Sequence, residues 1–492
     1  MRKIVYSNTL LLFTCLVIGL NSFGQAPPIE WQKSFGGSHL DEVGSIRQTS
    51  DGGYIMAGET SSSDNDISAN NGLHDIWLVK IDWNGVLSWE KSFGGTQMEK
   101  AHAVEETTDG GFIIAGESAS NDGDLTINNG DSDFWIVKVN STGNLVWEKS
   151  FGGSNWDAAQ SIQQTDDGGY IVAGESESID GDVTGNHGDM DFWIMKLDSI
   201  GNLTWQKSLG GSSWDSAESI QQTADGGFIV SGSSESNDGD LTLNQGGKDY
   251  WIVKLDTNGL IEWQRTVGGS DWDTSHSIQQ TADGGYIIAG ESRSDDGDVG
   301  GLVSDDTNPY GKHGGNRDYW IVKLDSVGLI SWQKLYGGTG WDAGQSVQET
   351  SDQGYIISGY SDSEDFDVTG NNGNWDYWIL KLTYTGDIVW QKSLGGSYHD
   401  FGASVRGTND GGYIVAGSSW SYDDDVSVNY GSNDIWVIKL NPILGVEELT
   451  DGGKKRIKIL NFMGQETEYK PNTPLIFIYS DGSRERVMKI EE

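Results

Sequence analysis

Hydrophobic and polar positions alternate along this chain in short runs with the two-residue period of a half-buried strand, and no run has the spacing or length of a helix. The stretch that begins at Trp205 shows the pattern. SAESIQQT, GGFIVSG, DYWIVKL and LIEWQ follow one another, rich in Ile, Val and aromatic residues. ADGG joins the first run to the second and DTNG the third to the fourth, tight turns that need the backbone freedom of Gly or Asp. GGSSWD, leading into the first run, and SESNDGDLTLNQGGK, between the second and third, are longer.

This unit recurs. The phrase WQKSFGG or a close variant returns at Trp31, Trp89, Trp147, Trp205, Trp263, Trp332 and Trp390, at intervals of 58, 58, 58, 58, 69 and 58 residues. Four antiparallel strands copied seven times predict an all-β fold, a seven-bladed β-propeller of four-stranded blades. The first marker run, Ile29 to Gly37, precedes any complete unit, while the last unit stops after DIWVIKLNP with no marker run behind it. Residues 29 to 34 are therefore expected to complete the last blade and close the ring, which leaves no sheet edge open for aggregation. The chain divides into a leader at 1–24, a propeller at 25–443 and a small C-terminal β module at 444–492.

Composition adds a compartment. The opening MRK, an apolar stretch from Thr9 to Leu20 and small residues before Gln25 read as a cleaved signal peptide, too short for the roughly 20 residues of a membrane span. The single cysteine, Cys15, lies inside it, so the mature chain is expected to be secreted without disulfides and without a membrane span. A net charge of -43, carried mainly by the repeats, repels nucleic acid and anionic lipid, and suits divalent cations or basic partners.

Two resemblances follow. The segment KLDSIGNLTWQKSLGG resembles the repeat of quinoprotein-type propellers, which implies blades whose outer-strand Trp docks on the next blade. Enzymes of that kind usually have eight blades and dedicated cofactor ligands, whereas this chain has seven units, so the resemblance implies the fold and not the quinone chemistry. The tail KKRIKILNFMGQETEYKPNTPLIFIYSDGSRERVMKIEE resembles the C-terminal sorting domain of type IX (Por) secretion in Bacteroidetes, with strands at 457–465, 474–479 and 484–490. That implies export to the extracellular space or outer-membrane surface, with the secretion machinery as a partner.

Of the 21 tryptophans, fourteen recur in every unit, on the outer and third strands, and are assigned to packing. Trp83 sits in a tight turn. The other six are the ligand candidates: Trp156, Trp214, Trp272 and Trp341 before the first strand, and Trp375 and Trp420 in the second-to-third connection, which emerges on the same face. An eleven-residue insertion in the fifth unit adds Tyr310 and His313. The same connections hold aspartate trios, among them Asp122, Asp124 and Asp133, then Asp180, Asp182 and Asp191, then Asp238, Asp240 and Asp249. These are candidate calcium ligands, with ordinary turn chemistry as the competing account. No cofactor is required. A recurrent Asp before each first strand and a recurrent Lys in each third strand are read as structural, and His102 and His276 as lying just before the first strand of their units. HExxH, GxSxG, phosphate-loop and CxxC patterns are missing, and no carboxylate pair stands out among 74 acids. The sequence thus favours a secreted or surface module for binding, adhesion or scaffolding, with a glycan or protein ligand. The alternative is an extracellular carbohydrate-active enzyme with its site on the long-loop face or in the central channel.

Overall fold

The computed structural model describes residues 24–300 and 317–442, together with the backbone of three strands at Arg456–Asn461, Leu475–Tyr479 and Arg484–Val487. Tyr310 and His313 lie outside the described residues, as does the leader through residue 23. Seven four-stranded antiparallel sheets form the propeller, each running from an inner strand through the second and third to an outer one. In blade 3 these are Asp157–Gln164, Tyr170–Ser176, Asp191–Leu197 and Leu203–Leu209. The second and third strands are buried on both faces between neighbouring blades, and the outer strand is half-exposed.

Closure follows the expected path. Strand Ile29–Phe35 pairs antiparallel with Asp434–Leu440 and completes the sheet of blade 7. Trp436 Nε1 donates to Gln32 Oε1 at 2.8 Å, and Asn441 N donates to the Pro28 carbonyl at 3.0 Å. The marker tryptophans dock on the next blade: Trp31 meets Tyr54 edge-on with ring centroids 6.0 Å apart, and Trp147 meets Tyr170 at 5.9 Å. Third-strand tryptophans face the preceding blade, as Trp193 does Phe134 at 4.6 Å. In the C-terminal segment the three strands form one antiparallel sheet in sequence order, at positions close to those expected.

The recurrent polar residues staple the blades. Each third-strand Lys is buried and reaches the Asp of its own DGG-type turn; Lys196 to Asp167 is 2.9 Å, and that Asp also accepts from Thr165 Oγ1 and Gly169 N. The recurrent Asp opens the inner strand: Asp157 accepts from Gly153 N and Ser178 Oγ, both at 2.8 Å. One expectation is corrected. His102 and His276 lie inside the inner strands Glu99–Glu106 and Asp273–Gln280, at the fourth residue, where a β-bulge skips one position of the ladder. The bulge brings the second strand so close that a Cβ on Gly116 would lie 1.8 Å from the Lys100 carbonyl oxygen. Gly116→Ala is expected to destabilise the protein by about 3 kcal/mol through this overpacking, read as a lower midpoint in urea with unchanged m-value.

Candidate binding face and central channel

Strand direction sends the connections into the inner strands and the second-to-third connections to the same face, and there five of the six candidate tryptophans form an arc over blades 4 to 7. Trp214, Trp272 and Trp341 are 47%, 45% and 36% exposed. Cations separate them. Lys248 Nζ lies 5.8 Å from the Trp214 ring and 5.7 Å from Trp272; the Arg293 guanidinium lies 5.1 Å from Trp272 and 5.8 Å from Trp341. Arg317, from the same blade as Arg293, also lies 5.1 Å from the Trp341 ring and is paired with Glu291. Trp341 then stacks with Trp375 at 6.1 Å and 21°, and Trp375 meets His399 at 4.9 Å and Phe401 at 5.2 Å. Trp420 ends the arc edge-on to His399. Trp375 and Trp156 are half-buried, and Trp156 stands apart from the arc, its Nε1 donating to Glu117 at 2.7 Å. Trp83 is exposed in its tight turn on the opposite face.

The cations were not singled out from the sequence, although a signal for them exists. Lys248 and Arg317 occupy the repeat position held in blade 6 by Trp375, and Arg293 occupies that of Trp420 in blade 7. In blades 1 to 3 the same two positions hold His74, Ser132 and Met190, and Ser61, Ala119 and Glu177, so lysine, arginine and tryptophan occupy them only in blades 4 to 7, where flat rings and positive charges are placed together.

Between blades 3 and 4 the fold brings a carboxylate pair together. Ser216 Oγ contacts both Glu175 and Glu218, and Gln160 Nε2 donates to Glu175 at 3.2 Å. Burial pushes Glu218 up to about 8, with Glu175 adding to the shift. His276 is driven the other way, to about 4, first by burial and then by Arg317 and Lys248, so it is neutral at neutral pH. His102 approaches Glu117 at 3.7 Å.

The nine acidic-loop candidates all accept backbone hydrogen bonds. Asp122 takes Thr96 N at 2.8 Å, Asp124 takes Gly94 N at 3.1 Å and Asp133 takes Asn129 N at 2.8 Å. Asp180, Asp182 and Asp191 bind the amides of Ser154, Gly152 and His187, and Asp238, Asp240 and Asp249 those of Ser212, Gly210 and Gln245. Each trio therefore ties its loop to the junction between blades. Among the described residues, no group of three or more His, Cys, Asp or Glu side chains is placed to hold a metal ion, and no helix is long and apolar enough to cross a membrane.

No family model matches the chain. Among curated proteins it is similar to the regulatory protein FlaEY of Caulobacter vibrioides, 26% identical over 169 residues, which is 31% of this chain and 17% of that protein. Among solved structures it is similar to Sqt1 from Chaetomium thermophilum (11% identity, TM-score 0.41, 83% of this chain and 100% of that one). It is also similar to the Pan2 WD40 domain of Neurospora crassa (10%, 0.40, 82% and 90%) and to BBS1N in complex with ARL6DN (8%, 0.44, 86% and 98%). Its own strand order makes the chain a seven-bladed β-propeller, and the chemistry of its long-loop face is read from its own residues.

Proposed function

We propose that this protein is a secreted or cell-surface binding module that holds a glycan chain on the arc running from Trp214 to Trp420. The observation that carries the reading is the alternation of exposed indoles with Lys248, Arg293 and Arg317. Cations wedged between the rings fix their spacing before a ligand arrives, so little side-chain entropy is lost on binding. Indole faces stack on the apolar faces of sugar rings, and the overall charge of -43 favours a neutral glycan over a polyanion. Export through a type IX-like route, with the C-terminal sheet as sorting domain, is part of the same reading, supported by the leader pattern and the tail's likeness to such domains.

A glycan array on the mature protein, followed by calorimetry on the strongest hit, tests it. Trp272→Ala is expected to weaken binding about tenfold or more, while Trp83→Ala on the opposite face leaves it unchanged. Equal loss in both variants, or no glycan bound at all, counts against the arc. The Glu175 and Glu218 pair favours a second reading, a carbohydrate-active enzyme with Glu218 as its acid. Turnover of a bound glycan that Glu218→Gln abolishes would establish it.

A further inference from the structure

At the tight-turn end of the central channel the seventh residue of each inner strand forms a ring, and hydrogen bonding around it is directional. Gln163 Oε1 accepts from the backbone N–H of Gln222 in the next blade at 2.6 Å. Gln221, Gln279 and Gln348 repeat the contact with Gln280, Glu349 and Gly407 at 2.8, 2.6 and 2.7 Å. A backbone N–H can only donate, so each amide oxygen is committed outward and each NH2 group is left for the channel. Two residues earlier, Ser161, Ser219, Ser277 and Ser346 accept from the next blade's backbone at 3.2 to 3.3 Å, which leaves their hydroxyl hydrogens free to turn inward.

Blades 7, 1 and 2 break the ring with Arg406, Arg47 and Glu105, and the two arginines lie side by side across the closure. One guanidinium nitrogen of each is anchored, Arg47 Nη1 to Ser45 Oγ and the Ile46 carbonyl, Arg406 Nη1 to Ser346 Oγ and the Val405 carbonyl. Both still line a cavity of about 250 Å³, in which Glu105 is the one carboxylate, with one oxygen already taken by Gln164 N at 3.0 Å. Burial, and for Arg406 its neighbour Arg47, lowers the pKa of both guanidiniums, while the single Glu105 carboxylate acts against the shift in each, so two arginines face one carboxylate. A second cavity of about 380 Å³ shares Arg47 and Arg406 with it and is lined also by Gly407 and by Glu106, whose two oxygens accept from Ser50 N and Oγ; Gly407 stands where the other blades carry Gln or Glu.

We infer that the tight-turn end of the channel binds a small oxyanion between Arg47 and Arg406, with the inward amide and hydroxyl donors of the ring completing its shell. Donors converging from several strands on a cavity with almost no acceptors recognise sulfate, phosphate or a carboxylate, and guanidinium pairs do so with two parallel bonds.

Calorimetry of the full chain with sodium sulfate, at ionic strength held constant with chloride, tests the site. Saturable binding with one ion per chain is expected, roughly tenfold weaker or worse in Arg47→Gln and in Arg406→Gln, and lost in the double variant. Both changes install the residue four other blades already carry, so folding is expected to persist, checked by the melting temperature in chloride. Glu105→Gln is expected to bind sulfate more tightly, because it removes the competing carboxylate. No saturable binding by the wild type, or equal binding by the double variant, overturns the inference. Crystals of the wild type soaked in selenate give an answer independent of the variants. An anomalous peak between Arg47 and Arg406 supports the site, and its absence at saturating selenate overturns it.

Discussion

A variant lacking residues 24–36 is expected to lose more than about 10 °C of melting temperature and to aggregate, whereas a permutant carrying residues 28–36 after Pro442 regains the wild-type melt. The deleted strand supplies the outer ladder of Asp434–Leu440, a segment buried from end to end whose other side pairs with Tyr413–Ser419, and its loss bares that edge. It also removes Phe35 from the blade 1 core and the Trp31 ring from Tyr54, apolar burial worth on the order of 5–10 kcal/mol. The permutant restores the same contacts through the other end of the chain, and so separates closure from any other effect of truncation. Circular dichroism melts with size-exclusion profiles measure both. A deletion variant that melts like the wild type would show that the seven sheets hold without closure.

Stability of the mature protein in chelator is expected to peak near pH 4 to 5 and to fall by on the order of 10 °C by pH 8. At each blade junction two buried carboxyls converge on the first glycine of the GG pair. A Cβ on Gly152 would lie 2.4 Å from Asp133 Oδ1 and 2.6 Å from Asp157 Oδ2, and a Cβ on Gly395 would meet Asp376 and Asp400 in the same way. Burial, with its carboxyl neighbours adding, raises Asp133, Asp249, Asp376 and Asp434 to about 7 and Asp75 and Asp191 to about 6; burial also raises Asp342 to about 7. An unfolded Asp ionises near 4. The fold thus holds more protons than the unfolded chain between about pH 4 and 7, and stability drops as pH rises through that window.

The turn aspartates act in the opposite sense. Asp51, Asp109, Asp167 and Asp283 ionise at about 2, because threonine and backbone hydrogen bonds and a paired Lys outweigh their desolvation. Their contribution is complete above pH 4 and is lost as pH falls toward 2, which sets the acid limb. Melts from pH 2 to 9 read both limbs. A maximum at pH 7 to 8 that disappears on adding chelator would show instead that a divalent cation takes the place of the shared proton, which returns calcium to the acidic loops. Asp133→Asn should flatten part of the alkaline slope, since an amide can donate toward Asp157 where a second carboxylate cannot.

The blades, their turns and the closing strand were legible because the information that makes them is local. Alternation of side chains, glycine at DGG and NG turns, and a surplus first Trp run each act within a dozen residues, and repetition multiplies the signal. The candidate face was legible to the same extent: strand parity put six tryptophans on one side. Tyr310 and His313, in the insertion, fall outside the described residues. The bulge that moved His102 into the strand was hidden, because one extra residue in a strand leaves the composition of the run unchanged.

What depended on the meeting of different blades was out of reach of the sequence. Glu175 and Glu218 are 43 positions apart, Lys248 finds both Trp214 and Trp272, and Arg47 joins Arg406 only because the ring closes. The doubled glutamine at the end of the inner strand bonds in opposite directions: Gln163 to the blade ahead, Gln164 to the turn of the blade behind. By itself the sequence determined the unit, its number, the closing strand and which side carries the long loops, since each follows from backbone periodicity and turn chemistry. The tertiary structure alone decided which charges face one another across the junctions and the channel, because those distances are set by packing seven twisted sheets around an axis.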